Sequence, residues 1–291
     1  MFKNKIYQNV SLKKFNSWKA GGNAENFLIC SNAKKLSELI KSKKIITPLT
    51  FIGLGSNLLI RDGGVKGTII ETFGGLNDLR VEKNMIYAEA GVTCSKLSKF
   101  AAQDGLAKSA FLSGIPGTIG GALAMNAGCY GSETWDYVHK VLVITSNGEI
   151  VTKYKDNFKV GYRKVTGREK NENFLAAWFK FPEGSVNESK DEIKKLLLHR
   201  KNTQPLNWPT AGSTFRNPKD HFAAKLIEDC GLKGLKKGMA QVSEKHANFI
   251  VNLGGASASD IEYLIDYIHK TVMKEMNIDL QTEVKIIGDN V

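Results

Sequence analysis

The sequence predicts an α+β fold, because short strands and helices follow one another without the regular alternation of a doubly wound sheet. The strands outnumber the helices that right-handed crossovers between parallel strands would need. The 291 residues are enough for about two domains. Hydrophobic residues make up 42% of the chain and charged residues 24%, as in ordinary globular proteins. We therefore expect a folded protein with a sizeable core.

The first third of the chain is predicted to contain two helices, two apolar strands and a hairpin. In chain order these are a helix over residues 33–42, strands over 47–54 and 58–60, a hairpin over 80–90 and a helix over 93–104. The hairpin turns at Lys83 and Asn84. Thr93 is the expected N-cap of the second helix, and Gly105 takes the cap position at its C-terminal end.

The middle of the chain contains its strongest hairpin signal, Asn147-Gly148, between two apolar runs. A further strand is predicted over residues 173–181. The polar segment 182–191, which precedes a helix that continues to Lys201, is the expected domain boundary. We therefore expect an N-terminal region over residues 1–182, with lobes of about 1–70 and 71–182, and a C-terminal domain over 183–291.

The C-terminal domain is predicted to be α+β. Its expected elements are a helix over residues 223–230, a strand over 248–253, a long helix and a final strand over 280–287. Ser259 and Glu262 form the expected capping box of the long helix. Five apolar residues are predicted to form its buried face: Ile261, Leu264, Ile265, Ile268 and Val272.

The net charge of +12 favours an anionic partner, such as a nucleic acid, a membrane surface or a phosphorylated small molecule. Basic residues are mixed with acidic ones, so a nucleic-acid-binding tail is not indicated. The four cysteines and five histidines show no metal-binding spacing, and reduced thiols in a cytoplasm are expected. The N-terminus has no apolar core of a signal peptide. The uncharged segment 109–132 has too many glycines for a membrane span and is predicted to be a loop system.

The first glycine motif, Gly53-x-Gly55, follows a predicted strand but fails as a dinucleotide-binding fingerprint. Leu58 stands where the third glycine is required, and no helix follows. The tight turn could hold a pyrophosphate through its backbone N–H groups and the side chains of Ser56 and Asn57. A plain hairpin turn without a ligand explains the same residues.

The second glycine-rich stretch covers residues 113–131. Because its glycines have no side chains, a flat ligand can approach the backbone closely. A structural loop with a short alanine-rich helix is the alternative. No lysine follows the glycines in the pattern of a phosphate-binding loop, so nucleotide hydrolysis is not supported.

Seven blocks together resemble the UDP-N-acetylenolpyruvoylglucosamine reductase family, over nearly the whole chain. They cover residues 53–59, 114–121, 125–131, 161–163, 211–218, 246–252 and 282–288. The glycine blocks are shared with other flavoproteins of this fold, whereas the last four are specific to the reductases. Val165, Arg216 and Met239 depart from the family pattern, which leaves substrate contacts open. The chain resembles the short subtype without an extra substrate-clamping loop.

The resemblance implies a two-lobed FAD-binding region of the vanillyl-alcohol-oxidase type and a C-terminal substrate domain. It implies reduction of UDP-N-acetylglucosamine enolpyruvate to UDP-N-acetylmuramate by NADPH, in peptidoglycan precursor synthesis. The expected protein is a cytoplasmic monomer that binds no nucleic acid and is not inserted in a membrane. The residues it assigns to FAD are Gly53, Leu54, Gly55, Ser56, Asn57, Leu58, Gly114, Ile115, Pro116, Gly117, Thr118, Gly120, Gly121, Asn126 and Gly128.

By the same resemblance, Arg163, Ser213 and Glu283 are catalytic. In isolation, an exposed cation, a turn serine and a solvent-facing carboxylate are the ordinary interpretations of such residues. Substrate-binding residues implied in this way are Tyr162, Arg216, Asn217 and Asn248. A flavin oxidase of the same fold and a basic, non-catalytic nucleic-acid-binding protein are the alternative functions.

Overall fold

The computed structural model describes residues 4–291, and residue contacts divide the chain into two units. The described part of unit 1 comprises residues 4–8, 26–54 and 67–200. Unit 2 comprises residues 9–25, 55–66 and 201–291. Contacts thus divide the chain after Arg200, and two early segments belong with the C-terminal one. The domain boundary near residue 182 stays a prediction.

The helices are α1 (Ala33–Lys41), α2 (Cys94–Gln103), α3 (Ile119–Met125), α4 (Val186–Thr203), α5 (Ala223–Asp229) and α6 (Ala258–Met276). The strands are β1 (Ile6–Ser11), β2 (Asn23–Ile29), β3 (Leu49–Ile52), β4 (Leu58–Ile60), β5 (Val65–Glu71), β6 (Leu79–Glu82), β7 (Met85–Glu89), β8 (Gly128–Cys129), β9 (Ser132–Glu133), β10 (Val138–Ile144), β11 (Ile150–Tyr154), β12 (Lys159–Gly161), β13 (Lys164–Thr166), β14 (Asn173–Phe179), β15 (Lys236–Lys237), β16 (Ala240–Val242), β17 (Ile250–Asn252) and β18 (Lys285–Ile287).

Unit 1 is organised around an antiparallel sheet with the strand order β11-β10-β14-β7-β6. The central strand β14 is buried almost along its whole length, because apolar residues occupy both of its faces. Helices α2 and α3 contribute Leu97, Ala101 and Leu123 to the core of this sheet. Unit 1 also contains the parallel pair β3–β5, whose sheet has the order β1-β2-β5-β3.

Unit 2 is organised around α6, whose buried stripe contains all five predicted residues and also Ala258. The helix packs on the antiparallel strands β15-β16-β17, and the core includes Trp18, Phe215 and Leu226. Strands β4 and β18 pair in parallel, with Leu58 opposite Lys285. Unit 2 therefore joins three distant parts of the chain in one core.

The structure confirms the predictions of helices α1, α2 and α5 and of the two hairpins. It also confirms the N-cap of α2, because the Thr93 hydroxyl accepts a hydrogen bond from Lys96 N–H. The capping box of α6 was predicted two residues too late, since Ser257 and Asp260 form it. The amide of Ser259 already belongs to the first turn and donates to Asp62 Oδ2 at 2.9 Å. A second serine with an acidic residue three positions on made the two caps indistinguishable in the sequence.

Other predicted elements have different bounds. The strands predicted over 47–54, 173–181 and 248–253 are shorter, at Leu49–Ile52, Asn173–Phe179 and Ile250–Asn252. Helix α4 begins at Val186, inside the segment 182–191 that was predicted to precede the helix as the domain boundary, and ends at Thr203, two residues beyond the predicted end. Only Ser189 and Ile193 of this helix are buried, so the sequence lacks the apolar stripe of a packed helix. The final strand was predicted over 280–287, but regular pairing with β4 covers only Lys285–Ile287. No helix within residues 4–291 is long and apolar enough to cross a membrane.

Candidate functional site

The two glycine-rich loops meet within unit 1 at Gly53 and Thr118. A Cβ atom placed on Gly53 would lie 2.1 Å from Thr118 Oγ1, well inside van der Waals contact. The absence of a side chain at Gly53 is therefore what lets the two loops approach each other. Sequence positions more than sixty residues apart come together as one backbone surface.

Backbone hydrogen bonds hold the second loop in place. Cys94 N–H donates to Gly117 O, and Gly120 N–H donates to Ala90 O, both at 2.9 Å. A Cβ atom on Gly120 would lie 2.9 Å from that of Ala90, so packing alone requires this glycine. A Cβ atom on the exposed Gly121 would meet only Thr118 Oγ1, at 4.0 Å. Protein packing does not explain the glycine at position 121.

The Thr118 hydroxyl supports a polar ligand at this surface. It is buried, and no hydrogen-bond partner for its Oγ1 lies within residues 4–291. A buried hydroxyl without a partner is costly, so such groups normally meet a ligand or water. The bare backbone and this hydroxyl fit a flat, polar cofactor such as FAD. Leu54, Ile115 and Pro116 lie on the same two loops.

The rest of the first motif lies in unit 2. Gly55 has a φ of +61°, a left-handed conformation that glycine adopts readily, and its carbonyl accepts a hydrogen bond from Ser17 N–H. The Asn57 side chain donates to the backbone oxygen of Glu283 at 3.1 Å, and Asn57 O accepts from Lys285 N–H at 3.0 Å. The motif therefore supports the segment that carries Glu283.

Arg163 lies at the tip of the β12–β13 hairpin in unit 1, with a left-handed φ of +52°. Its Nη2 donates to Gly128 O at 2.8 Å, and its Nη1 lies 4.0 Å from Glu133 Oε1. The guanidinium also stacks on the exposed ring of Tyr162, 4.9 Å from the ring centroid. Gly128 and Tyr162, two predicted site residues, thus contact the predicted catalytic arginine.

Asn126, predicted to bind FAD, is fully buried and its side chain is committed to protein groups. Its Oδ1 accepts from Trp135 N–H at 3.1 Å, and its Nδ2 donates to Glu133 Oε2 at 2.7 Å and to Gly161 O at 3.2 Å. These contacts favour a positioning role for the side chain over direct contact with a cofactor.

Unit 2 brings Ser213 and Glu283 onto two paired backbone segments. Glu283 N–H donates to Thr214 O at 2.8 Å, and Arg216 N–H donates to Gln281 O at 2.9 Å. Ser213 and Glu283 are both half-buried, whereas their neighbour Thr214 is buried. Two segments about seventy positions apart in the chain thereby lie side by side, with Thr214 directly bonded to Glu283.

Asn248 holds the Ser213 segment in the manner of an adjacent strand. Its side chain accepts from Phe215 N–H at 2.9 Å and donates to Phe215 O at 2.8 Å, and its carbonyl accepts from Thr214 N–H at 2.8 Å. His246 Nδ1 in turn accepts from Asn248 N–H at 3.3 Å. Burial lowers the pKa of His246, with the nearby charge of Lys233 as a further cause, which preserves that acceptor.

Two buried polar atoms of the Ser213 segment have no hydrogen-bond partner in the described part of the chain: Thr214 Oγ1 and Arg216 Nε. A desolvated guanidinium nitrogen without an acceptor is unfavourable, so an anionic or polar ligand beside this segment would be stabilising. Asn217, also predicted to bind substrate, instead accepts at its Oδ1 from Ala223 N–H, at the start of α5.

Comparison with known proteins places the chain in a family. A family model described as an FAD binding domain matches residues 24–153, and one described as the C-terminal domain of UDP-N-acetylenolpyruvoylglucosamine reductase matches residues 204–287. The UDP-N-acetylenolpyruvoylglucosamine reductase of Nitrosospira multiformis is 46% identical, over 95% of this chain and 87% of that protein. The chain belongs to the UDP-N-acetylenolpyruvoylglucosamine reductase family.

Solved structures agree with this membership. The crystal structure of the reductase from Thermus caldophilus superposes with a TM-score of 0.85 at 30% identity, covering 98% of this chain and 99% of that one. The 6-hydroxy-D-nicotine oxidase of Arthrobacter nicotinovorans, at 12% identity and a TM-score of 0.53 over 96% of this chain and 88% of that one, shares the fold alone. These comparisons confirm three predictions. They are the α+β class, the vanillyl-alcohol-oxidase type of FAD-binding region, and the function of an FAD-dependent, NADPH-using reductase of peptidoglycan precursor synthesis.

Some features of this family member were not predicted from its sequence. Glu133 beside Arg163 had no motif to mark it, although the first charged residue after the uncharged segment 109–132 was a usable signal. An open groove of about 640 Å³ in unit 2 is lined by residues from 201–208 and 241–245 together with Val251. None of the predicted site residues lines this groove, and the exposed Trp208 was not singled out.

Proposed function

We propose that this chain reduces UDP-N-acetylglucosamine enolpyruvate to UDP-N-acetylmuramate, as a cytoplasmic monomer. The observation that carries the proposal is the pairing of the Ser213 and Glu283 segments in unit 2, beside the unpartnered Thr214 hydroxyl and Arg216 guanidinium nitrogen. A proton donor, a carboxyl group and a cationic group on two adjacent segments suit an anionic, unsaturated substrate.

The groups of this chain have three tasks in that reaction. When bound, FAD and NADPH supply the hydride that reaches the methylene carbon of the enolpyruvyl group. The protein must hold the substrate carboxylate, stabilise the negative charge that develops on it, and protonate the adjacent carbon. We assign FAD to the two glycine-rich loops named above.

Arg163 stabilises the developing enediolate. A guanidinium is planar, keeps its charge at every physiological pH and can bind a carboxylate through two parallel N–H groups. A preorganised cation contributes most where charge appears in the transition state. The contacts of Arg163 with Gly128 and Glu133 support this role, because they restrict the guanidinium before substrate binds.

Ser213 donates the proton to the carbon next to the substrate carboxylate. A serine hydroxyl is a weak acid, so this role requires a strongly basic carbon and a rigid placement of the donor. The two hydrogen bonds of Asn248 to Phe215 provide that rigidity in the backbone two residues away. Glu283 assists at the carboxylate end of the substrate, on the segment paired with Thr214. Tyr162 and Arg216 complete the proposed substrate site, and Asn217 and Asn248, whose side chains bond to the backbone of Ala223 and Phe215, support it.

Two half-reactions followed by stopped-flow absorbance test the proposal. We expect NADPH to bleach the flavin before any sugar nucleotide is added, and the enolpyruvyl substrate to restore its colour. Ser213→Ala should keep the first rate and slow the second by about two to four decades, the usual weight of general-acid catalysis. Arg163→Lys should also slow only the second half-reaction, because the ammonium group of lysine cannot bind a carboxylate through two parallel N–H groups.

Ser146→Ala, which changes an exposed hairpin serine in unit 1, is the control and should leave both rates unchanged. Rapid colour return in Ser213→Ala would remove Ser213 from the proton-donor role. Colour return driven by oxygen, with no response to the sugar nucleotide, would favour the flavin oxidase. A colourless protein retained on DNA at low salt would favour the nucleic-acid-binding protein.

A further inference from the structure

The turn that carries Arg163 has an unfavourable backbone conformation for an arginine. Its φ of +52° lies in the left-handed region, which side chains other than glycine and asparagine rarely adopt. Gly161 and Lys164 pair across the β12–β13 hairpin, so Tyr162 and Arg163 form a two-residue turn. Such conformations persist only where neighbouring groups hold them in place.

Asn126 holds the backbone at the start of this turn. The asparagine is itself left-handed, with a φ of +48°, and fully buried. Its Nδ2 donates to Gly161 O at 3.2 Å, and its Oδ1 accepts from Trp135 N–H at 3.1 Å. The amide therefore links the end of α3 to the strand residue just before Tyr162 and Arg163.

Glu133 connects this amide to the guanidinium. One carboxylate oxygen, Oε2, accepts from Asn126 Nδ2 at 2.7 Å, and the other, Oε1, lies 4.0 Å from Arg163 Nη1. The side chain of Arg163 is only 15% exposed and that of Glu133 31%, so solvent screens this pair less than a surface pair. Gly128 O, at 2.8 Å from Nη2, is a second contact of the guanidinium.

We propose that Glu133 and Asn126 are positioning residues for Arg163: Asn126 fixes the turn backbone, and Glu133 fixes the guanidinium. The inference rests on the proposed function, in which Arg163 binds the substrate carboxylate. Both residues act through Arg163. A guanidinium that is oriented before the substrate arrives avoids the loss of rate that accompanies a misplacement of about 1 Å.

Variants of Glu133 separate its charge from its hydrogen bond. Glu133→Gln keeps an acceptor for Asn126 and removes the charge beside Arg163, whereas Glu133→Ala removes both. We expect colour return by the sugar substrate to slow by about tenfold in the first and up to about a hundredfold in the second. Flavin content, bleaching by NADPH and thermal unfolding should stay close to wild type in Glu133→Gln. Glu188→Ala, at an exposed position in α4, is the control.

A double-mutant cycle with Arg163→Ala decides whether Glu133 acts through the arginine. We expect Glu133→Gln to change the rate of colour return less than twofold once Arg163 is alanine. An equal slowing in both backgrounds would show a general structural effect and overturn the inference. If colour return is slow in Arg163→Ala but occurs at the wild-type rate in both Glu133 variants, the inference about Glu133 is wrong and the proposed role of Arg163 stands. Wild-type return in Arg163→Ala would overturn the proposed role of Arg163 and the inference with it.

Discussion

The Arg163 turn of unit 1 and the Ser213 segment of unit 2 each depend on a buried asparagine, but the two asparagines do different work. Asn126 divides its hydrogen bonds among a carboxylate and two separate backbone groups, and the Arg163 guanidinium contacts the Glu133 and Tyr162 side chains and the Gly128 carbonyl. Asn248 gives its whole amide to the backbone of one residue, Phe215.

This difference teaches how each residue is placed. Asn248 bonds both the N–H and the C=O of Phe215 and so fixes the backbone two residues from Ser213. Ser213 has a short side chain, so fixing the main chain also fixes its hydroxyl group. Arg163 has a long side chain, so fixing its backbone is not enough and the guanidinium needs its own partners. We therefore expect loss of the Asn248 support to lower both the stability of the fold and the rate of the sugar half-reaction, and loss of the Glu133 charge to lower that rate alone.

Asn248→Ala should have the largest effect on stability. It leaves Phe215 N–H and C=O buried without partners, which should lower the free energy of unfolding by about 2–4 kcal/mol. It should also slow the sugar half-reaction at least tenfold while bleaching by NADPH continues. Denaturant unfolding and stopped-flow absorbance measure these effects. Asn202→Ala, at an exposed position in α4, is the matched control. A stable Asn248→Ala with a normal second half-reaction would contradict the strand-like role of this amide.

Alanine substitutions at the adjacent glycines 120 and 121 should have effects of intermediate size. They distinguish a glycine required by protein packing from one required by contact with the cofactor in unit 1. Gly120→Ala should lower the free energy of unfolding by about 1–3 kcal/mol, because its Cβ would lie 2.9 Å from that of Ala90. Gly121→Ala should leave the flavin-free protein as stable or raise its stability by about 0.5–1 kcal/mol. We expect FAD binding to weaken at least tenfold in Gly121→Ala, as measured by fluorescence titration. Unchanged affinity there would move the cofactor away from Gly121.

Glu71→Gln should have the smallest effect, and only at high pH. Burial raises the pKa of the Glu71 carboxyl from 4.5 to about 7. The contribution of the neutral Glu71 carboxyl to stability is therefore fully present below about pH 4.5 and is lost as the pH rises through 7, when the buried group must ionise. We expect the variant to melt about 2–4 °C higher than wild type at pH 8 and at nearly the same temperature near pH 4.5.

Glu149→Gln, an exposed site in the same unit, should show no such pH dependence. An equal shift of the Glu71→Gln melting temperature at both pH values would point to packing rather than ionisation. The half-buried His246 of unit 2 should act in the opposite direction. Burial lowers its pKa, so its contribution to stability is present above the usual imidazole pKa and is lost as the pH falls.

Much of the fold was readable from local patterns. The buried stripe of α6, the Thr93 cap and the Asn147-Gly148 hairpin are properties of a few consecutive residues, and the structure confirms them. Helix α4 was only partly readable, since a helix with two buried residues has almost no apolar period. The cap of α6 was placed two residues late, because Ser259 and Glu262 repeat the pattern of Ser257 and Asp260.

The sequence by itself determined the family and the identity of the predicted site residues, because seven ordered motifs restrict both. It could not determine which of those residues support others. The commitment of the Asn126 amide to Glu133 and Gly161, the clamp of Asn248 on Phe215, and the contact of Gly53 with Thr118 all join distant parts of the chain. Hydrogen-bond partners and close approaches of this kind depend on three-dimensional distance, which only the packed tertiary structure decides.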